Sequence, residues 1–373
     1  MGRPDRSPLK PGIFKGLRTL SVMPTFTCTA ACKDCGTLSS PQDRTNLSLE
    51  AVLSGIDQAK ELEFANVVFT GGEATLRWKD LLVAIAHAKS LGFPTRVVSN
   101  AYWATSDERT EERIDALIEA GLDEINYSTG DEHTRFVPIE RVIRAMVTAV
   151  QKGLRTHTMV ELREERRVVR DDVLGHPWIE ALPAEQRELL TCDESPWMPL
   201  DPSQVESYPD NIACNAENIG MRTGCDSILQ TYVLQADGNI GSCCGLGMRI
   251  IPELHVGRTE GTSFLKGAIE DAENDFLKVW MHYHGPEKIL AWAAEKDPTI
   301  EWEGMYAHRC QACLRVYQDP QVGKVIREHY MEMFAEVLQA AYLEDEMIPQ
   351  SFAEMADDVR SKAAGAPPTV VES

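Results

Sequence analysis

From residue 17 to about 200, short β-branched runs alternate with amphipathic stretches at a spacing of about thirty residues, and this alternation restricts the fold more than any other feature. The runs at 17–23, 66–70, 95–100, 122–129 and 155–162 read as strands, and those at 48–62, 78–92, 107–121 and 138–153 as helices. Ser48 and Pro138 mark helix starts; Gly92 and Gly121 mark stops. A weaker sixth strand lies in 187–195, after a short helix in 171–182, and the period then fails. Units of this kind build a parallel sheet. The expected fold is therefore α/β, a partial (β/α)6 TIM-like barrel at 17–200, with working residues where strands end and loops begin.

Residues 201–320 break the pattern. The stretch 227–247 reads as a hairpin turning at Asp237–Gly238, and a helical stretch runs from about 262 to 296. Residues 323–346 read as one amphipathic helix docking on the barrel, the core of a terminal helical region at 321–346. Residues 1–16 form an N-terminal segment, and 347–373 a small, polar, Pro-containing tail expected to be mobile.

With 58 acidic against 37 basic residues and a net charge of −21, the surface repels phosphate backbones, which disfavours nucleic acid as a partner. No apolar run approaches the roughly twenty residues that cross a bilayer. The opening sixteen residues are basic and Pro-rich without an apolar core, so they do not read as a secretion signal, and the cytoplasm is the expected location. Ten cysteines in a reducing compartment point to metal or redox chemistry rather than a disulfide framework.

Three of them, Cys28, Cys32 and Cys35, fall in the loop after the first strand, at the mouth of a barrel of this class. A structural zinc takes four protein ligands in a closed tetrahedron, whereas only three thiols lie here and no histidine is near in sequence. A cubane iron–sulfur cluster held by three thiolates keeps one iron open for an outside ligand.

The spacing Cys-x3-Cys-x2-Cys, with Gly71, Gly72 and Glu73 in "FTGGEATL" after the second strand, resembles the radical S-adenosylmethionine (SAM) superfamily. The resemblance implies a [4Fe-4S] cluster on Cys28, Cys32 and Cys35 whose open iron binds SAM. It implies cleavage of SAM to a 5′-deoxyadenosyl radical, with an electron donor such as flavodoxin or ferredoxin. SAM contacts are implied at Gly71, Gly72, Glu73, Asn100, Ser128 and Glu161, with Ser99 and Thr158 near the same cavity. Two glycines also let the main chain approach a ligand closely. One departure stands out: Asp34 occupies a position that is usually aromatic in the family, which leaves a backbone contact to adenine.

A second group resembles the opening of the SPASM and twitch extensions of that superfamily: Cys225, then Gly238 with four residues between it and Cys243, closed by Cys310-x2-Cys313. It implies one auxiliary [4Fe-4S] cluster on Cys225, Cys243, Cys310 and Cys313; no cysteine follows Cys313, which favours the shorter twitch-like arrangement for 201–320. Four thiolates equally suit a structural zinc. Cys244 is an alternative ligand to Cys243. Cys214 and Cys244 are candidate hydrogen-donor thiols of the kind radical epimerases use, and Cys192 is a further spare; the plain reading of each is a small buried hydrophobe.

Asp131 and His133 invite a catalytic pair in the loop after the fourth strand, but a surface histidine explains them as well. The run "VELREERRVVRDD" reads as a solvated charged face, and "WMHYHG" as packing of the helical region. The leading expectation is a peptide-modifying oxidoreductase, a maturase of ribosomally made peptides that crosslinks, epimerises or oxidises them. Its leader would be gripped by a separate partner protein or by the barrel mouth, because the segment before Cys28 is too short for a leader-binding domain. The alternatives are oxidation of a small molecule such as a sugar, and a non-catalytic zinc-binding scaffold.

Overall fold

The computed structural model describes residues 17–343. Six parallel strands, β1 (Thr19–Val22), β2 (Asn66–Phe69), β3 (Thr95–Ser99), β4 (Glu124–Thr129), β5 (Arg155–Leu162) and β6 (Leu190–Pro196), lie side by side in chain order. The expected α/β architecture is present, and the sheet is not closed. Helices Leu49–Glu61, Trp78–Ser90, Asp107–Ala120 and Ile139–Gln151 connect its strands. The local signals act as their chemistry requires. The Ser48 side chain accepts from the Ala51 amide, and Gly121 closes its helix in the left-handed region at φ 98°. Leu20, Val67, Val97, Ile125 and Val160 are fully buried in the sheet's core.

The hairpin forms at its expected turn, between β7 (Thr231–Leu234) and β8 (Asn239–Gly241), and β9 (His255–Arg258) joins it antiparallel. The sequence did not reveal where it docks. β7 pairs in parallel with the free edge of β1, Thr19 opposite Thr231 and Val22 opposite Leu234, so nine strands form one sheet. The three-cysteine loop that leaves β1 thus has β2 on one side and the hairpin on the other.

Two helix expectations need correction. The stretch 262–296 is three helices, Phe264–Glu273, Phe276–His284 and Pro286–Lys296, split where Asp275 caps a new start and where Gly285 turns at φ 84° before Pro286. The single helix expected over 323–346 starts earlier, under Asp319 as N-cap, and breaks into Pro320–His329 and Phe334–Tyr342. Tyr330 and Phe334 both pack on Phe276, with ring centroids 5.8 and 5.2 Å away, and a short 3₁₀ turn satisfies both contacts. Residues 344–346 and the tail 347–373 lie outside the described residues. Among the described residues no helix is long and apolar enough to cross a membrane.

Leu234 joins the hairpin to the barrel. It is fully buried, and its Cδ1 lies 2.3 Å from where a Cβ on Gly55 would stand. Leu234→Ala is expected to cost about 3 kcal/mol in urea unfolding of the apo-protein. Adding Leu234→Ala to Gly55→Ala should recover part of the stability that Gly55→Ala loses alone.

Candidate functional site

The loop between β1 and the first helix has little regular structure of its own and is held from outside. The Gly72 amide donates to the Thr25 carbonyl at 3.0 Å and the Glu73 amide to the Thr27 carbonyl at 2.9 Å. A Cβ on Gly72 would fall 2.3 Å from the Thr27 oxygen, and one on Gly71, at φ 116°, 2.8 Å from the Thr25 oxygen. Both glycines do line the cleft, but the close approach that excludes a side chain is made to the cysteine loop.

Glu73 was expected to offer SAM a carboxylate or a backbone carbonyl. Its side chain is 1% exposed and already accepts from the Thr75 hydroxyl and amide, the Ser99 hydroxyl and the Asn100 amide. Burial pushes its pKa up while these hydrogen bonds pull it down. Glu73 therefore ties the end of β2 to the end of β3. Asn100 reaches the cysteine loop itself, donating from Nδ2 to Thr29 Oγ1 at 3.0 Å and to Cys28 Sγ at 3.7 Å.

Cys28, Cys32 and Cys35 line one cleft of about 730 Å³ together with Gly71, Gly72, Glu73, Asn100 and Ser128. Burial pushes the Cys28 thiol up to about 11 and the Cys32 thiol up to about 12, so a bound metal must displace their protons. Donors stand ready for the resulting thiolates. The Ala30 amide lies 3.4 Å from Cys28 Sγ, and the Thr37 hydroxyl 3.3 Å from Cys35 Sγ. Three thiols on one cleft wall with donors behind two of them fit a cluster that keeps one corner open.

Glu161 lies on the wall of an adjoining cavity of about 540 Å³. Its carboxylate accepts from the Glu132 and His133 amides and pairs with His133 Nδ1 at 2.6 Å. Thr158 is fully buried and lines neither cavity. Asp131 and His133 do not form a pair, because Asp131 accepts from the Arg167 and Val168 amides. His133, held by Glu161, lines both cavities, as do Trp197, Ser128 and Gly36. The His133 and Trp197 rings meet edge to face at 5.4 Å, and Trp197 Nε1 donates to the Lys33 carbonyl. Trp197 was missed, although its place just beyond β6 is where the strand-end rule says to look.

The second cysteine group also assembles. Cys225, Cys243, Cys310 and Cys313 line one small hollow. Cys310 and Cys313 sit on helix Arg309–Gln318, capped by His308, whose Nδ1 accepts from the Cys310 amide. Burial lowers His308 to about 4, which keeps that nitrogen an acceptor. A Cβ on Gly245 would lie 2.8 Å from Cys310 Sγ and 3.9 Å from Cys243 Sγ, so the glycine leaves room for both sulfurs. Among the described residues no three His, Cys, Asp or Glu side chains close on one point as the ligands of a single ion do. Cys244 is exposed, its sulfur turned to the Ser227 hydroxyl at 3.2 Å. Cys214 is buried, its amide on the Tyr306 carbonyl. Neither lines a cavity described above, which corrects their reading as hydrogen donors to the cleft. Cys192 is buried on β6 as a small hydrophobe. The "WMHYHG" stretch packs as expected, and His282 braces the second group through the Cys225 carbonyl.

The family model of the radical SAM superfamily matches residues 22–167, the span that holds all three cleft cysteines and the Gly–Gly–Glu turn. Residues 22–167 are a radical SAM domain. A PqqA peptide cyclase of Methylocella silvestris is 30% identical over 112 residues, which are 30% of this chain and 28% of that protein, so the match spans under a third of the relative's length. Among solved structures, native anSMEcpe with bound AdoMet and Kp18Cys peptide is 13% identical, covering 87% of this chain and 99% of its own, at TM-score 0.50. A histidine-tagged form of anSMEcpe with bound AdoMet is 12% identical over the same shares, also at 0.50. At such identity the likeness shows the fold: an open, mostly parallel sheet with an extension.

Gly72→Ala tests how the radical SAM domain presents its cysteines. Main chain faces the new methyl, so no side chain can yield. The variant is expected to keep its far-UV circular dichroism yet lose SAM binding in equilibrium dialysis of the anaerobically loaded protein.

Proposed function

We propose that this chain is a radical SAM enzyme that abstracts a hydrogen atom from a ribosomally made peptide, yielding a crosslink, an epimerised residue or an oxidised side chain. The observation that carries the reading is the convergence of Cys28, Cys32 and Cys35 with Gly71 and Gly72 on one cleft. When bound, a [4Fe-4S] cluster and SAM supply the 5′-deoxyadenosyl radical, the hydrogen-abstracting species. The chain's part is to hold and orient. The three thiols would hold the cluster, and the Gly71–Gly72 main chain with the Asn100 and Ser128 side chains would line the space for SAM. His133, fixed by Glu161, lines both cavities.

The peptide reading rests on three supports. The matched relative is named a peptide cyclase, the anSMEcpe structure carries a peptide, and two cavities here share Ser128, His133 and Trp197 as walls, giving room beyond a nucleotide. Each SAM cleavage consumes one electron, so a flavodoxin- or ferredoxin-like donor is part of the proposal, as is a leader-binding partner.

We assign Cys225, Cys243, Cys310 and Cys313 to one auxiliary [4Fe-4S] cluster within a twitch-like segment, 201–320. Four thiols lining one hollow suit a cluster, whose irons each take one thiolate.

Anaerobic purification is expected to yield about eight irons per chain. Replacing Cys28, Cys32 and Cys35 together by Ala should abolish 5′-deoxyadenosine formation while the auxiliary iron persists; zinc without iron, or SAM cleavage by the triple variant, overturns the reading. Gly245→Ala should have the opposite pattern, losing auxiliary iron in Mössbauer spectra while SAM cleavage continues. Incubation with candidate peptides under mass spectrometry then reads the outcome. Loss of a hydrogen pair means a crosslink or oxidation, and uptake of a solvent deuterium means epimerisation.

A further inference from the structure

The turn that carries Cys35 is unstable as an isolated structure. Leu38 sits at φ 49°, a region that a branched side chain resists, and the turn's internal bond is Leu38 N–H to the Cys35 carbonyl at 2.8 Å. What holds it comes from beyond residue 200. Arg249, at the end of the 3₁₀ turn Leu246–Arg249 that follows Cys243, donates from Nη1 to the carbonyls of Thr37 and Leu38, both at 2.7 Å. Its guanidinium lies 3.4 Å over the Phe26 ring and 3.8 Å from the Asp43 carboxylate. Leu246 fills the space beside Gly36, where a Cβ would meet its Cδ2 at 2.6 Å. Only a planar, multi-donor cation can bridge two carbonyls, a ring and a carboxylate at once.

We propose that Arg249 is a positioning residue through which the 201–320 segment sets the electronic environment of Cys35. It fixes the 37–38 carbonyls and so holds the Thr37 hydroxyl at 3.3 Å from Cys35 Sγ. The Thr37 hydroxyl donates to Ser39 Oγ at 3.0 Å; once Cys35 gives up its own proton to bind iron, that hydroxyl turns its proton to the sulfur, and Ser39 keeps its bond to the Thr37 carbonyl. A hydrogen bond to a cluster sulfur stabilises the reduced state and raises the midpoint potential. The electronic part rests on the proposed cluster; the mechanical part does not.

The experiment has two arms. In the full-length apo-protein, hydrogen exchange followed by mass spectrometry compares wild type with Arg249→Leu and Arg249→Lys. The leucine variant should speed exchange about tenfold in residues 33–40 only, and lysine should restore part of the protection. In the anaerobically loaded protein, an EPR-monitored titration of the SAM-binding cluster compares Thr37→Val, Arg249→Leu and the double variant. Both single changes should lower the midpoint, and the double change should lower it no further than Thr37→Val alone. Unchanged exchange in Arg249→Leu, or a rise spread across the whole sheet, overturns the clasp. A shift in Thr37→Val without one in Arg249→Leu overturns the link to Cys35. A protein that takes up no iron but shows the local exchange change would sink the enzymatic reading and the electronic claim, and leave the clasp standing.

Discussion

Two main-chain hydrogen bonds, Gly72 N–H to Thr25 and Glu73 N–H to Thr27, carry the rest of the site. They are extensions of the β1–β2 ladder past the ends of both strands, and they turn an otherwise irregular loop into a continuation of the sheet. Where the two backbones meet, a Cβ on Gly71 would fall 2.8 Å from the Thr25 oxygen and one on Gly72 2.3 Å from the Thr27 oxygen. The glycines are thus a packing requirement of the chain before they are a ligand-binding device. Once the loop is seated, Glu73 passes the constraint on to Ser99 and Asn100, and Asn100 closes the ring by reaching Thr29 and Cys28.

The buried carboxylate at the centre of this ring illustrates how the site tolerates polar groups. Removing Glu73 from water disfavours its charge, and four donors restore what solvation supplied. Glu161 repeats the solution one strand pair further on, with two amides and the His133 ring. Both acids sit at strand ends and both are consumed in bracing the loops that carry the cleft. Besides Glu73, the cleft is lined by thiols, small residues, an amide, an imidazole and an indole.

The extension works on the same loop from the other side. Because β7 pairs with β1, the residues after Cys243 fall next to the residues after Cys35, and Arg249 and Leu246 pack directly on the turn there. From the β6 side, Trp197 holds Lys33. The two cysteine groups are therefore parts of one packed structure, connected through a short 3₁₀ turn.

The local codes in the chain determined a good deal on their own. Alternating strand and helix periods, with Ser48 as a start and Gly121 as a stop, were enough for the parallel α/β sheet, and the Asp237–Gly238 turn was enough for the hairpin, because these depend on contacts a few residues apart. The three-cysteine loop and the Gly–Gly–Glu turn were legible for the same reason, and the four later cysteines by their spacing around that hairpin. The tertiary structure alone decided that Glu73 and Glu161 brace the loops of the cleft, that His133 pairs with Glu161 instead of Asp131, and that the hairpin completes the sheet edge. It also decided that Cys214 and Cys244 lie away from the cleft and that Tyr330 and Phe334 break the last helix over Phe276. Each of these depends on partners tens to hundreds of residues apart, and which donor reaches which acceptor across such distances is set by how the elements pack.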